Sequence, residues 1–440
     1  MIKVLIIGHG AREHVITETL NNNEAIIYAF MKSKNPGISK IARDVLLGDL
    51  NDFKKLGKFV KDLNLDFAFI GPEEPLANGI VNFLEKKGVP CIGPYKAAAM
   101  LESSKIFTRN LIDEYKIEGN AIHKTFDSVN KISEFLDTLN DQVAIKPDGL
   151  TGGKGVKVYG DHLNNRSDII DYCKELISKG NRIVIEEKLV GEEYTLQSFV
   201  DGKNIKGMPL VQDHKRAYNE DKGPNTGGMG SYSCEDHLLP FVSQDNYNKA
   251  LEIMGKTIQA VKKETGFEFK GILYGQFMLT KNGPKLIEYN VRFGDPEAMN
   301  VLPLLKTNLV EICEKIISGS LNKIKVEFEN KSTVCKYLAP DGYPINAKPT
   351  DVTVNLDEIK ELNGHLYFAS VDLQGNKIKT TSSRSIAVLG INKDITKAEQ
   401  IAEKSISFIK GNLFHRTDIG TEKLINKRIE NMKMILNQKN

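Results

Sequence analysis

Cysteine is sparse in this chain, and what there is does not cluster. The five cysteines, Cys91, Cys173, Cys234, Cys313 and Cys335, are scattered with no close pair. That spacing excludes a zinc site or a disulfide framework and fits the reduced thiols of a cytoplasmic protein. No apolar run reaches the roughly 18 residues that a membrane helix needs. The opening M-I-K-V-L-I-I-G is apolar over too short a span for a signal peptide and turns straight into a glycine loop. The middle of the chain has no block of like charge, and the formal charge is only +3. Neither nucleic acid nor a membrane surface is therefore an expected partner. Repeats and low-complexity segments are absent as well. What remains is an ordinary globular composition, 27% charged and 40% hydrophobic over 440 residues, enough for two or three domains with ample core.

Residues 3–7 read as a buried strand, and G-H-G-A-R-E-H (residues 8–14) then opens a helix. Residues 66–70 form a second clear strand, followed by G-P-E-E-P-L and another helix. This alternation, up to about residue 93, predicts a parallel sheet with helices on both faces. Ligands bind beyond the carboxyl ends of such strands, where both loops sit. Gly8-His9-Gly10 starts like a dinucleotide fingerprint, but Glu13 stands where the third glycine belongs; the amides at this helix start offer a place for a single phosphate instead. Glu73 and Glu74 either complement a helix dipole or belong to the site. Ser103 and Ser104 can cap a helix carrying Lys105.

Residues 143–158, V-A-I-K-P-D-G-L-T-G-G-K-G-V-K-V, read as strand, glycine-rich loop, strand. The glycines let backbone approach a ligand and Lys146 and Lys154 bring positive charge. A strand follows the loop where a Walker loop has a helix, so the pattern is either a flap over triphosphate or a merely flexible hairpin. Residues 182–196 read as an acidic hairpin about a glycine turn. There Glu186 to Leu189 can meet a base and Glu193 the hydroxyls of a ribose. Q-D-H-K-R (212–216) and G-P-N-T-G-G-M-G (223–230) read as one long shaped loop, a type that tends to be functional. A helix near 246–264, a strand 271–280 and a turn at 281–284 lead as a hairpin into L-I-E-Y-N-V-R-F-G-D-P-E, residues 286–297. On its leading strand Tyr289, Val291 and Phe293 share one face. Glu288, Asn290 and Arg292 share the other, about 7 Å apart from one to the next. A carboxylate beside a carboxamide suits a hard cation, and an arginine beyond them can hold a phosphoryl or carboxylate group. The alternative is a half-exposed edge strand with a solvated polar face.

Together these strings resemble the phosphoribosylamine–glycine ligases (glycinamide ribonucleotide synthetases), ATP-grasp enzymes of purine biosynthesis. The resemblance runs through essentially the whole chain: the 8–14 loop, G-P-E-E-P-L, S-K-x-F-T at Lys105, K-x-D-G-L-x-x-G-K-G at Lys146, and I-E-E-x-L-x-G-E-E at Glu186. It continues through Q-D-H-K-R, G-P-N-T-G-G-M-G, N-x-R-F-G-D-P-E, the turn at Asp341 and R-x-D-I-G at Arg416. His9, Ala11, Thr151, Gly152 and Gln276 depart from the family pattern, the last at a place where many relatives carry an acidic metal ligand.

The resemblance implies an α/β, multi-domain ATP-grasp fold: a Rossmann-like, doubly wound parallel-sheet domain over 1–103, the ATP-grasp unit over 104–325 and a small α/β domain over 326–440. It implies ATP as cosubstrate and Mg²⁺ or Mn²⁺ as cofactor, with small-molecule partners only (ATP, glycine and 5-phosphoribosylamine), in a cytoplasmic monomer or dimer. Lys105, Lys146, Gly152, Gly153 and Lys154 would face the phosphates; Glu186, Glu187, Leu189 and Glu193 would hold adenine and ribose. Glu288 and Asn290 would bind the metal. Asp213, Lys215, Arg292, Gly227, Gly228 and Met229 would shape the glycine site; Gly10, Arg12, Glu13, Glu73 and Asp295 would serve the substrates, chiefly phosphoribosylamine. Another ATP-grasp ligase or carboxylase, and a noncatalytic ATP-binding regulator, are the alternatives.

The glycine- and lysine-rich hairpin at 151–157 predicts a lid that closes over nucleotide. Tryptic cleavage there is expected to slow when a nonhydrolysable ATP analogue is added. Equal cleavage with and without the analogue would exclude a lid.

Overall fold

The computed structural model describes residues 1–152 and 155–437. Five parallel strands open the chain: β1 (Lys3–Ile7), β2 (Ile26–Met31), β3 (Asp44–Leu47), β4 (Phe67–Ile70) and β5 (Cys91–Ile92), in the order β3-β2-β1-β4-β5. Val4 to Ile7 of β1 are all buried, as a strand covered by helices on both faces requires. The sequence signal passed over β2 and β3, so the strand at 67–70 is the fourth of the set and lies beside β1.

Next come β6 (His123–Phe126), β7 (Val143–Pro147), β8 (Lys157–Val158) and β9 (Ile183–Glu187), an antiparallel sheet in the order β6-β9-β7-β8. β10 (Glu192–Asp201) follows and pairs with β11 (Ile205–Gly207). The acidic hairpin expected over 182–196 does not form. β9 and β10 belong to different sheets, and residues 188–191 cross between them. Acidic composition and a glycine announce a turn; which sheet each strand joins depends on partners far away in sequence.

The expected long loop at 212–230 is also more regular than its composition suggests. β12 (Gln212–Asp213) pairs with β15 (Gly230–Ser233), and between them β13 (Arg216–Tyr218) and β14 (Lys222–Asn225) form a short ribbon. The helix Gln244–Thr265 is capped by Ser243 at its start and by Gly266, at φ 77°, at its end. It leads to β16 (Lys270–Thr280) and β17 (Gly283–Asn290), which complete the sheet β11-β10-β16-β17.

The last part contributes β18 (Ser332–Pro340), β19 (Asp351–Val354), β20 (Gly364–Phe368), β21 (Val371–Gln374), β22 (Lys377–Thr380), β23 (Ile386–Asn392), β24 (Ile409–Lys410) and β25 (Leu413–Phe414), then the terminal helix Glu422–Asn437. β18 pairs with β15, so one sheet, β12-β15-β18-β23-β20, carries strands from the middle and the end of the chain. Among the described residues no helix is long and apolar enough to cross a membrane.

Two contacts set the parallel sheet against the rest. Phe69 of β4 stacks on Phe293 beyond β17, with ring centroids 6.0 Å apart. On the helix Ala11–Asn22, His14 accepts the Phe368 amide on Nδ1 at 3.0 Å and stacks on the Phe368 ring. Burial pushes the His14 pKa down to about 4, so the ring is a neutral acceptor in the fold. The unfolded chain takes up a proton near pH 6.5 and the folded one only near 4. His14 therefore stabilises the fold above pH 6.5, and this contribution is lost as pH falls toward 4. The stability difference between wild type and His14→Gln is expected to shrink by about 3 kcal/mol between pH 7 and pH 4. Urea titrations at both pH values measure it, and a difference independent of pH would refute the neutral ring.

Candidate active site

β17 and β16 carry a bulge. Gln276 pairs with Glu288 and Phe277 with Leu286, which leaves Ile287 as an extra residue. A bulge releases a carbonyl from the ladder. The Ile287 carbonyl accepts Lys146 Nζ and Arg109 Nη2, each at 3.0 Å. The same two cations hold Glu186: Arg109 grips it with Nε and Nη2 at 2.8 Å each, and Lys146 Nζ lies 2.7 Å from Oε2. Burial opposes charge on Glu186, but Arg109 and Lys146 outweigh it and bring the pKa down to about 2. The Glu186 carboxylate is thus committed to fixing Lys146, and its backbone is in register with β6 and β7. The Glu186 side chain therefore orients Lys146, whatever its backbone offers to a base. Arg109 was missed because a single arginine in an amphipathic helix reads as solvated.

A cleft of about 1100 Å³ opens in front of this triad. Its walls include Lys105, Lys146, Gly152, Glu186, Glu187, Leu189, Glu193, Asp213, Lys215, Gly227, Glu288, Asn290 and Arg292, together with Arg12, Glu73 and Asp295. Gly153 and Lys154 lie outside the described residues. Burial works against charge on Glu288, but Lys215, Lys146, Lys105 and Arg292 overcome it and hold the carboxyl below its usual range. Burial lowers the pKa of Lys105 despite Glu288, and its Nζ donates to the Gly149 carbonyl at 2.7 Å. Lys215 Nζ lies 3.5 Å from Glu193. Burial and then Glu297 push the Asp213 carboxyl well above the carboxylate range. Glu297 itself is buried and accepts Tyr274 Oη at 2.8 Å.

β17 ends at Asn290, so Arg292 stands just past the strand. Its Nη2 donates to Asn290 Oδ1 at 2.9 Å and lies 2.9 Å from Glu102, and its Nε is 3.3 Å from Glu73. Arg12 Nη1 reaches Glu73 at 3.9 Å. Burial raises the Glu102 pKa to about 7 against the pull of Arg292. In Glu73 burial is outweighed by Arg292 and Arg12, and the pKa falls to about 2. Arg292 is accordingly pinned between two carboxylates contributed from outside its own strand.

At the start of the helix Ala11–Asn22 the Gly10 amide is already taken by a side chain of the same helix. Glu13 Oε2 accepts the Gly10 amide at 2.5 Å and Oε1 accepts Arg12 Nε at 2.6 Å, so the chain's own carboxylate sits where an anion was expected. A Cβ on Gly71 would lie 2.2 Å from Glu13 Oε1, and one on Gly8 2.6 Å from its Cγ. The third fingerprint glycine is replaced by a side chain that needs those glycines. Beside it a second cavity, of about 170 Å³, is lined by Gly8, His9, Gly10, Arg12, Asp295, Tyr337, Ser370, Ser383 and Arg384. Arg384 lies over the Tyr337 ring at 4.5 Å and lines both cavities. It sits in an ordinary S-S-R-S string about 90 residues after Arg292, and nothing local marks it.

Gly228 and Met229, expected to shape the glycine site through their backbone, lie beside Asp213, His214 and Tyr337. The Met229 amide donates to the His214 carbonyl at 2.8 Å, its carbonyl accepts the Tyr337 amide at 2.9 Å, and the side chain is fully buried. The Met229 side chain is core. Gly228, at φ 106°, passes so close to Asp213 that a Cβ would lie 2.3 Å from its Oδ1. Its contribution is to let Asp213 sit where it does.

The phosphoribosylglycinamide synthetase N-domain family model matches residues 2–102, the ATP-grasp (A) domain model 103–298 and the C-domain model 333–422. Phosphoribosylamine–glycine ligase of Methanobrevibacter smithii is 50% identical over 99% of this chain and 100% of its own length; that of Methanococcus vannielii is 49% identical over the same shares. The crystal structure of phosphoribosylamine–glycine ligase from Thermotoga maritima aligns with a TM-score of 0.80 at 27% identity, covering 95% of this chain and 100% of that one.

Removing Arg109 takes from the buried Glu186 carboxylate its bidentate partner and leaves it Lys146. Arg109→Met is expected to lower the unfolding free energy by about 3–5 kcal/mol, read from urea midpoints at unchanged slope. A loss below about 1 kcal/mol, the value of a single ordinary hydrogen bond, would show that Glu186 is not held this way.

Proposed function

This chain belongs to the phosphoribosylglycinamide synthetase family, and on that premise we propose how its residues divide the family's reaction. It is an ATP-dependent ligase that joins glycine to phosphoribosylamine in purine biosynthesis. The observation that carries the division is the gathering of Lys105, Lys146, Lys215 and Arg292 around Glu288 and Asn290 in one cleft. ATP lies there, its triphosphate toward Lys105 and Lys146, its ribose toward Glu193 and its base against Glu187 and Leu189. The hairpin carrying Gly152, Gly153 and Lys154 closes over it and keeps water from the reacting phosphoryl group.

Glu288 and Asn290 offer a carboxylate and an amide oxygen from one strand face. Among the described residues no group of three or more His, Cys, Asp or Glu side chains gathers as a metal site. Two protein oxygens suit Mg²⁺ or Mn²⁺, hard cations that draw their remaining ligands from phosphates and water. Held by Glu288 and Asn290, such an ion would supply positive charge to the triphosphate.

Arg292, pinned by Glu73 and Glu102, holds the glycine carboxylate near the γ-phosphate, with Asp213 and Lys215 completing that site. The carboxylate is ionised at neutral pH and attacks phosphorus without a base; ADP leaves and glycyl phosphate remains enclosed. Phosphoribosylamine enters from the smaller cavity, its phosphate against Arg384, Ser383 and Ser370 and its amine toward the acyl phosphate. The amine attacks the acyl carbon, a proton is lost from nitrogen and phosphate departs. We place the enzyme in the cytoplasm, as a monomer or dimer.

Purified protein with ATP, Mg²⁺ and phosphoribosylamine is expected to release ADP only when glycine is added. Glycine carrying ¹⁸O in its carboxylate should pass one label into the released phosphate. ADP release that ignores glycine would overturn the reaction, and unlabelled phosphate after full turnover would overturn the acyl-phosphate route.

A further inference from the structure

The terminal helix Glu422–Asn437 begins where the C-domain match ends, at residue 422. Leu424, Ile425, Met432 and Ile435 bury its apolar face. Two polar residues one turn apart, Arg428 and Asn431, line the same cleft as Glu193, Lys215 and Glu288. Their hydrogen bonds go to the carboxylates that edge that cleft. Asn431 Nδ2 donates to Glu192 Oε1 at 2.6 Å. Arg428 Nη1 lies 3.6 Å from Glu192 Oε2, and Nη2 donates to Asp221 Oδ2 at 2.5 Å.

Each carboxylate leads directly to a residue of the site. Glu192 is buried at the start of β10, next to Glu193. Gln212 ties the two together, with Nε2 3.0 Å from the Glu193 carbonyl and 3.4 Å from Glu192 Oε2. Asp221 lies between β13 and β14, the ribbon that follows Lys215, and is braced from the other side by Arg416 at 3.0 Å. His214, between Asp213 and Lys215, has both ring nitrogens buried and without a hydrogen-bond partner. Burial, with Arg428 and Arg416 adding to it, lowers the His214 pKa to about 3, so the ring is uncharged beside this cluster.

We propose that Arg428 and Asn431 are positioning residues of the nucleotide cleft. The terminal helix latches the start of β10 through Glu192 and the β13–β14 ribbon through Asp221, and so sets where Glu193 and Lys215 stand relative to each other. The apolar face alone would dock the helix; these two side chains give the docking a consequence in the site. The inference rests on the reading that ATP occupies this cleft.

The test is calorimetric titration of the full chain with a nonhydrolysable ATP analogue and Mg²⁺, alongside thermal midpoints. Wild type is expected to bind and Glu193→Gln to bind more weakly. If wild type does not bind, the placement of ATP falls, and this inference with it. Asn431→Ala and Arg428→Met are each expected to weaken binding about tenfold, the equivalent of one well-made hydrogen bond, with Arg428→Lys recovering most of the loss. In a Glu192→Gln background Asn431→Ala should cost less than about twofold, because its partner is already changed. Where Arg428→Met does not give folded protein, Asn431→Ala decides. If the wild type binds while Asn431→Ala shifts only the thermal midpoint and leaves affinity within about twofold, the helix is merely structural and the inference is overturned.

Discussion

A single buried carboxylate organises this molecule. Glu186 on β9 is held by Arg109 from the helix Lys105–Glu114 and by Lys146 from β7, and both cations also reach the Ile287 carbonyl on β17. Four elements distant in sequence are locked to one another, each through one hydrogen-bonding group. Taking such charges out of water is expensive, and the arrangement is stable only while every partner is present. That all-or-none character aims Lys146 at the cleft and keeps the bulge at Ile287 turned inward.

The rest of the site repeats the same device at its borders. Glu73 and Glu102 pin Arg292, Glu13 occupies the start of the first helix, and Asp221 and Glu192 receive the terminal helix. Apart from Glu13, whose partners Gly10 and Arg12 are its own neighbours, each pairing joins separate stretches of chain. An ATP-dependent ligation of glycine to phosphoribosylamine needs a cleft from which water can be excluded.

Much of this was legible in local pattern. The apolar run 3–7 and the glycines at 8–10 marked a parallel strand and its loop, because a strand buried on both faces has no polar positions to hide the signal. The alternation Glu288, Tyr289, Asn290 marked which side chains face the cleft, since the period of a strand is fixed by its backbone. The long helix, read near 246–264, lies within its observed span Gln244–Thr265 for a similarly local reason. The misreadings were all matters of partnership. β9 and β10 read as one hairpin and belong to two sheets; the stretch 212–230 read as loop and forms short pairings.

The amino-acid sequence by itself determined the kind of protein: a parallel-sheet domain leading into strand-and-loop elements whose lysines, carboxylates and glycines suit phosphoryl transfer. Those properties are carried by residue type and spacing within a dozen positions. Only the tertiary structure decided which charges face a ligand and which face each other. Glu186 and Glu288 are both strand glutamates in acidic or polar strings, yet one is taken up by Arg109 and Lys146 while the other stands toward the cleft. Arg384 and Arg428 carry no local mark at all, and both line the cleft. The reason is that an ion pair is set by distance in space, and the distances here are closed by strand register and by packing between parts of the chain hundreds of residues apart.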